Sequence, residues 1–147
     1  MKRTSLKIAL NATFLAVLDQ AVKWLARTSL KTPYVLTSWF QLRYEQNTGI
    51  AWGINMPYPL IIALNIALLL LIPYLAFKNL DLRKSKSQIV LVLIIGGALG
   101  NIYDRLVSGY VTDFLAVGWW PVFNLADAFL STGIFLLLLF YGKIKRA

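Results

Sequence analysis

Apolar stretches occupy most of the chain, and four of them are long enough to cross a membrane. The hydrocarbon core of a bilayer is about 30 Å thick, so a spanning helix needs about 20 apolar residues. Such stretches cover residues 6–26, 58–77, 87–107 and 121–141, and the second carries no charge. They predict an all-α membrane protein with four transmembrane helices, folded as a single polytopic domain over residues 1–147.

The polar segment between the first two spans has a different period. Phe40, Leu42 and Tyr44 alternate with polar residues, and the turn-forming sequence Asn-Thr-Gly follows them. Alternation with a period of two is typical of a strand with one buried face. We therefore expect a small extracytoplasmic β-sheet between helices 1 and 2, over about residues 34–55, lying on the outer membrane surface.

The composition agrees with a membrane protein, because 59% hydrophobic and 14% charged residues make the chain too apolar for a soluble domain of this size. The net charge of +9 could indicate nucleic acid, but the basic residues cluster beside the spans. They precede the first span, separate the second from the third, and follow the fourth. The positive-inside rule then places both termini and the middle loop in the cytoplasm, and no nucleic-acid partner is expected.

The absence of Cys and His narrows the possible chemistry. It removes disulfides, thiolate nucleophiles, Ser-His-Asp triads and the usual zinc ligand sets. An enzyme with this sequence would have to use carboxylates as its acid and base.

Asp113 and Asp127 are the candidate carboxylates, since they stand in apolar and aromatic surroundings with no basic residue between Arg105 and Lys143. Two carboxylates held close together share one proton, which provides a base for water and an acid for a carbonyl oxygen. We place Asp113 in the connection after the third span. If Pro121 begins the fourth span, Asp127 lies about 9 Å inside it. The alternative is that Asp127 only caps or hydrogen-bonds within the bundle and Asp113 is a loop residue.

Other polar residues are expected to pair inside the bundle. Asp19 and Lys23 are four residues apart on one face of the first helix and form a neutralising pair. Asn101, Asp104 and Arg105 share a face of the third helix, where Asp104 is neutralised by Arg105 or Lys23. The preceding sequence GGALG allows close helix approach.

Five strings of this sequence, in order over nearly its whole length, resemble the bacterial lipoprotein signal peptidases, also called signal peptidase II. They are DQAVK (19–23), NTGIAWG (47–53), GGALGNIYDR (96–105), VTDF (111–114) and FNLAD (123–127).

The resemblance implies a membrane aspartic endopeptidase that removes the signal peptide from diacylglyceryl-modified prolipoproteins, cutting just before the lipidated cysteine. It implies no cofactor and no metal. The partners would be the lipid-modified prolipoprotein and membrane lipids, and the chain would act as a monomer in the bacterial cytoplasmic (inner) membrane with its active site toward the extracytoplasmic face. The family's catalytic aspartates correspond to Asp113 and Asp127. Its substrate-binding or supporting positions correspond to Asn47, Gly49, Asn101, Arg105, Asn124, Asp19, Lys23 and Asp104.

The sequence departs from the family pattern at two positions. Trp52 stands where Phe is common, and Ala128 stands where Ser is frequent, which could loosen a hydrogen bond near the site. Neither change removes a residue that the chemistry needs.

Two other functions remain open on the residues alone. One is a proton-linked transporter or channel with Asp19, Asp104 and Asp127 as a relay. The clustering of the acids on one side of the membrane, and the lack of an internal repeat, argue against it. The other is a non-enzymatic assembly factor.

Overall fold

The computed structural model describes residues 2–49 and 56–146, within which four helices and three strands are found. The helices are α1 (Lys2–Ser29), α2 (Tyr58–Asn79), α3 (Ser85–Ser108) and α4 (Leu125–Ile144), and the strands are β1 (Tyr34–Thr37), β2 (Phe40–Asn47) and β3 (Val111–Val117). Each helix is long and apolar enough to cross a membrane. The predicted class, a four-helix membrane protein with a small sheet, is confirmed.

Helix α3 is the central element, because it packs against each of the other three helices. Three glycines of α3, Gly96, Gly97 and Gly100, allow this close approach. A Cβ on Gly96 would lie 2.9 Å from the Cβ of Leu15 in α1, and one on Gly97 would collide with the backbone oxygen of Ala126 in α4. The predicted role of the small residues in GGALG is therefore confirmed.

The buried apolar cluster lies toward the end of the bundle that carries the chain termini. It contains side chains from all four helices and from the α2–α3 connection, whereas large apolar side chains elsewhere on α2 and α4 are exposed, as lipid-facing residues are. Members of the cluster include Ile8, Ala76, Leu80, Leu91, Ile94 and Ile144. The polar interior residues lie nearer the opposite end, beside the sheet.

The sheet is antiparallel in the order β1-β2-β3, so its third strand comes from the segment between α3 and α4. The predicted sheet included only residues between the first two helices, of which residues 50–55 lie outside the described ranges. Asp113 lies in the connection after α3, as expected, but within that connection it belongs to strand β3, opposite Glu45, and this strand was not predicted.

The burial of β3 explains why its sequence did not reveal it. Five of its seven residues are buried, so the strand lacks the alternation of a half-exposed strand. Gly109 and Gly118 turn the chain at its two ends with φ of 80° and 51°, a region that favours glycine.

The start of α4 also differs from the prediction. Pro121 does not begin the helix; instead Phe123 pairs with Leu115 of β3, and Asn124 is the N-cap. Asp127 therefore lies in the first helical turn and not six residues inside the span. An asparagine followed by an acid at the third helical position satisfies two free N–H groups, which a proline at the first position cannot do.

Candidate active site

Asp113 and Asp127 line one cavity of about 650 Å³, between the sheet and the adjacent ends of α3 and α4. Asp113 is 2% exposed, and Asp127 is half-buried. The strand positions the first carboxyl and the first turn of α4 positions the second. The expectation that the fold brings these two aspartates to one site is met by this geometry.

Asn124 bridges the two aspartates. Its side-chain N–H donates to Oδ1 of Asp113 at 2.6 Å, and its Oδ1 accepts from the backbone N–H of Asp127 at 2.9 Å. Oδ2 of Asp127 accepts in return from the backbone N–H of Asn124 at 3.3 Å. This reciprocal pair is a capping box, so the same residue begins the helix of one aspartate and holds the carboxyl of the other.

Two more asparagines each hold one carboxyl. Asn47 donates to Oδ2 of Asp113 at 2.9 Å, while its Oδ1 accepts from the N–H of Gly49 at 3.0 Å. Asn101 donates to Oδ1 of Asp127 at 2.7 Å, while its Oδ1 accepts from Lys23 at 2.9 Å. In both amides the oxygen accepts a hydrogen bond, and this orients the NH₂ group toward the aspartate.

The environment of Asp113 changes its acidity. Burial raises the pKa of Asp113 to about 6, and the nearby charge of Asp127 acts in the same direction. The hydrogen bonds from Asn47 and Asn124, and the charge of Lys23, partly oppose this shift of the pKa. Asp113 therefore retains a proton closer to neutral pH than an ordinary aspartate does.

Lys23 is fully buried, and all three of its ammonium donors are used. Its Nζ lies 2.8 Å from Asp19, 3.2 Å from Asp104 and 2.9 Å from Oδ1 of Asn101. The predicted Asp19–Lys23 pair is present. The buried charges are paired and hydrogen-bonded, as the low polarity of the interior requires.

Asp104 connects this pair to strand β3. Its Oδ2 accepts from the backbone N–H of Thr112 at 2.9 Å, and its Oδ1 binds Arg27 at 2.5 Å. Arg27 also donates to the hydroxyl of Thr112 at 2.8 Å. The neighbouring Asp113 is thereby held in position. Of the two expected cationic partners of Asp104, the structure has Lys23 but not Arg105, and it adds Arg27.

Arg27 and Thr112 were missed because the predicted first span ended at residue 26. The helix continues to Ser29, which places Asp19, Lys23 and Arg27 at successive intervals of four on one face. That spacing was a usable signal.

Asp19 connects Lys23 to helix α4. Its Oδ1 accepts from the backbone N–H of Ala126 at 2.9 Å, which satisfies one of the free donors of the first helical turn. The two acidic partners of Lys23 thus position the two elements that carry Asp113 and Asp127. Because Asp19 and Asp104 are both paired with the buried Lys23, they are poorly placed to carry a proton relay.

Arg105 lines the cavity and is 8% exposed. Its Nη2 donates to the carbonyl of Gly49 at 3.1 Å, and its own carbonyl accepts from the hydroxyl of Tyr58. Gly49 is therefore held between Arg105 and Asn47, so all ten residues selected from the sequence belong to one connected arrangement.

Trp52 lies outside the described ranges. Ala128 donates its backbone N–H to the carbonyl of Asn124 at 3.2 Å. Within residues 2–49 and 56–146, no three acidic side chains are grouped so that they could hold a metal ion.

A family model for signal peptidase (SPase) II matches residues 11–142. A lipoprotein signal peptidase of Chlorobium phaeobacteroides strain BS1 is 37% identical, with 91% of this chain and 94% of the relative covered. One of Moorella thermoacetica is 36% identical, with 87% of each chain covered. The fold is similar to a bacterial membrane enzyme solved by the in meso method at 2.3 Å resolution, with a TM-score of 0.82 and 28% identity over 93% of this chain and 88% of that chain.

Proposed function

The chain belongs to the signal peptidase II family, and on that basis we propose that it is a membrane aspartic endopeptidase that removes the signal peptide from lipid-modified prolipoproteins. Asp113 and Asp127 are its catalytic pair, and it cuts just before the diacylglyceryl-modified cysteine. It acts in the bacterial inner membrane with both termini in the cytoplasm and the cavity toward the outside.

The bridge made by Asn124 between Asp113 and Asp127 is the observation that carries this proposal. Two carboxyls on one cavity wall, each held by directed amide donors, have the arrangement needed to divide acid and base roles. Neither carboxyl forms a salt bridge in the described part of the chain, so neither is neutralised in the way that Asp19 and Asp104 are.

The raised pKa of Asp113 supports its assignment as the acid, with Asp127 as the base. Asp127 takes a proton from water, the water oxygen bonds to the scissile carbonyl carbon, and Asp113 gives its proton to the carbonyl oxygen. The tetrahedral diol then collapses. Asp113 takes a proton back from one hydroxyl while Asp127 gives its proton to the leaving nitrogen as the C–N bond breaks. Both aspartates return to their starting protonation states.

The remaining polar residues position these groups. Asn47, Asn101 and Asn124 fix the orientation of the carboxyls, and Lys23 with its partners fixes the backbone of β3 and α4. Arg105 holds the 47–49 segment at the cavity wall through Gly49. The lipid of the substrate stays in the bilayer, so the adjacent peptide bond reaches the cavity at the membrane boundary.

The test compares the purified chain with Asp113→Asn and Asp127→Asn in detergent, using a diacylglyceryl-modified prolipoprotein and following release of the signal peptide. Each change should lower cleavage by about 10³-fold or more while the protein remains folded, since it removes a proton-transfer group. Asp81→Asn, at the other end of the bundle, is the matched acid-to-amide control and should cleave normally. Near-normal turnover by either site variant would refute the catalytic pair.

A further inference from the structure

A second cavity, of about 820 Å³, lies at the end of the bundle opposite the aspartates. Its walls are the first turn of α1 at Thr4 and Ser5, the α2–α3 connection at residues 81–84, and Gly142, Lys145 and Arg146 at and just beyond the end of α4. At Gly142 an added Cβ would meet no atom within 4 Å, so the α4 wall is open there. Nothing in the proposed protease chemistry uses this cavity.

The cavity wall is strongly basic. Arg83, Lys84, Lys145 and Arg146 line it, against one acid, Asp81, which Arg83 binds at 3.0 Å. The lining residues therefore carry a net charge of three positive units. Clustered lysine and arginine side chains of this kind recognise phosphate groups.

Two of these cations are fixed by backbone contacts that leave their charge in place. Lys84 donates to the carbonyl of Lys143 at 2.7 Å, and Arg146 donates to the carbonyl of Leu80 at 3.0 Å. Backbone hydrogen bonds from Asp81 to Ile144 and from Arg146 to Asn79, at 2.8 Å each, join the same two segments. Lys84 and Arg146 are therefore held at the cavity wall by the folded chain, although all four basic residues are exposed.

A separate apolar groove of about 460 Å³ lies between α1 and α3, and its lining starts at Ser85, the residue after Lys84 of the cavity. On α1 the lining passes from Thr4 through Ile8 and Asn11 to Leu15, at intervals of three or four residues on one helix face. On α3 it passes from Ser85 to Leu93. The α1 wall extends over about 16 Å along the helix axis, at 1.5 Å per residue. A basic cavity beside an apolar groove in a transmembrane bundle is complementary in shape and polarity to a phospholipid.

We propose that this basic cavity and the α1–α3 groove together form a binding site for an anionic phospholipid, with the phosphate in the cavity and one acyl chain in the groove. The bound lipid would join the start of α1 to the α2–α3 connection and the end of α4. An anionic headgroup is preferred because a choline headgroup would bring a cation among the remaining positive charges.

The first experiment measures lipid binding to the purified full-length chain by native mass spectrometry, titrating dioleoyl phosphatidylglycerol against dioleoyl phosphatidylcholine. We expect retention of the anionic lipid at concentrations where the zwitterionic lipid is lost. Lys84→Gln with Lys145→Gln should weaken phosphatidylglycerol binding by about tenfold or more. Lys2→Gln with Lys7→Gln removes the same charge from the same end, outside the cavity, and should change binding little. Equal retention of both lipids, or an equal loss of phosphatidylglycerol binding in both double variants, would refute the proposed site.

A second experiment tests the groove without changing charge. Asn11→Phe should fill the groove and weaken phosphatidylglycerol binding, whereas Leu10→Phe, on an exposed and non-lining position of the same turn, should not. Glycerol phosphate alone should bind far more weakly than the lipid. If it binds as tightly, or if the two phenylalanine variants behave alike, the acyl-chain part of the proposal is wrong. Melting temperatures of all variants establish that each is folded.

Discussion

The side-chain amide of Asn124 donates to the carboxyl of Asp113 across 2.6 Å. The same amide group, through its oxygen, caps the helix that carries Asp127. The relative placement of the two aspartates therefore depends on a residue that is neither of them. The two interactions can be separated by substitution, because a serine at position 124 retains the helix cap but cannot donate to Asp113.

We expect Asn124→Ser to keep most of the stability and lose most of the activity. Serine is as good an N-cap as asparagine, but its hydroxyl is too short to replace the amide donor to Asp113. Cleavage should fall by about 10²-fold, as for loss of one oriented donor in an active site. Asn124→Ala should lose the same activity and, in addition, about 1 kcal/mol of stability. Melting temperature and initial cleavage rate in the same detergent measure the two effects. If Asn124→Ser cleaves normally, the bridge has no role in catalysis.

Asp104→Asn should reduce stability more than it changes the chemistry of the cavity. The change removes the acid shared by the buried Lys23 and the partly exposed Arg27, and breaking a buried pair from one side costs about 3–5 kcal/mol. Glu45→Gln is the matched control, because its pair with Arg43 is 46% and 44% exposed and such pairs contribute about 0–1 kcal/mol. Chemical unfolding in detergent should separate the two variants clearly. Equal stabilities would mean that the buried network around Lys23 tolerates an unpaired cation.

The raised pKa of Asp113 predicts a pH dependence of stability. The pKa of Asp113 is about 6 in the folded state, so the carboxyl keeps its proton up to about that pH, whereas in the unfolded chain it loses the proton near its ordinary pKa of 3.8. Stability therefore falls as the pH rises through this window. Asp113→Asn removes the effect, so its melting temperature should match that of the wild type near pH 4 and exceed it at pH 7. The corresponding difference in the free energy of unfolding at pH 7 is at most about 3 kcal/mol. A difference that does not change with pH would contradict the shift.

Asp81 provides the control of opposite sign. Its pKa is lowered, chiefly by the hydrogen bonds from Arg83, so its contribution is present above the unfolded pKa and is lost as the pH falls. Asp81→Asn should thus be the less stable protein at pH 7 and should approach the wild type in acid. Opposite trends for the two aspartate variants would exclude a general effect of removing negative charge.

The sequence predicted those features that depend on local composition. Span length and charge clusters identified four helices, and small residues identified the close packing of α3. The interval of four between Asp19 and Lys23, and the shared face of Asn101, Asp104 and Arg105, identified most of the buried polar network, because helix periodicity is enough to place those residues together.

The features that the sequence did not predict depend on tertiary partners. Strand β3 is buried, so it shows no alternation, and β2 supplies its hydrogen bonds from sixty or more residues away. The start of α4 is decided by Asn124 and by the pairing of Phe123 with β3, and both outweigh the helix-starting tendency of Pro121. Asp104 was expected to be neutralised by Arg105 or Lys23; Lys23 does so, and the second cation is Arg27, which the sequence did not predict.

The lipid on the substrate should determine whether the peptide bond reaches the aspartates. The cavity that holds Asp113 and Asp127 also includes the apolar Leu130 of α4, so its wall continues toward the bilayer. Burying a methylene is worth about 0.8 kcal/mol, but most of that energy is already realised when the acyl chains lie in the membrane. The lipid therefore acts mainly by fixing the depth and orientation of the substrate, which makes its encounter with the aspartates nearly intramolecular.

A prolipoprotein without its diacylglyceryl group should be cut at least about 10²-fold more slowly in the same micelles, even at high concentration. Changes in the mature sequence well beyond the cysteine should have little effect and serve as the control. Comparable rates for lipidated and unlipidated substrate would instead identify a general intramembrane protease, because the aspartates would then act on any peptide that reaches the cavity.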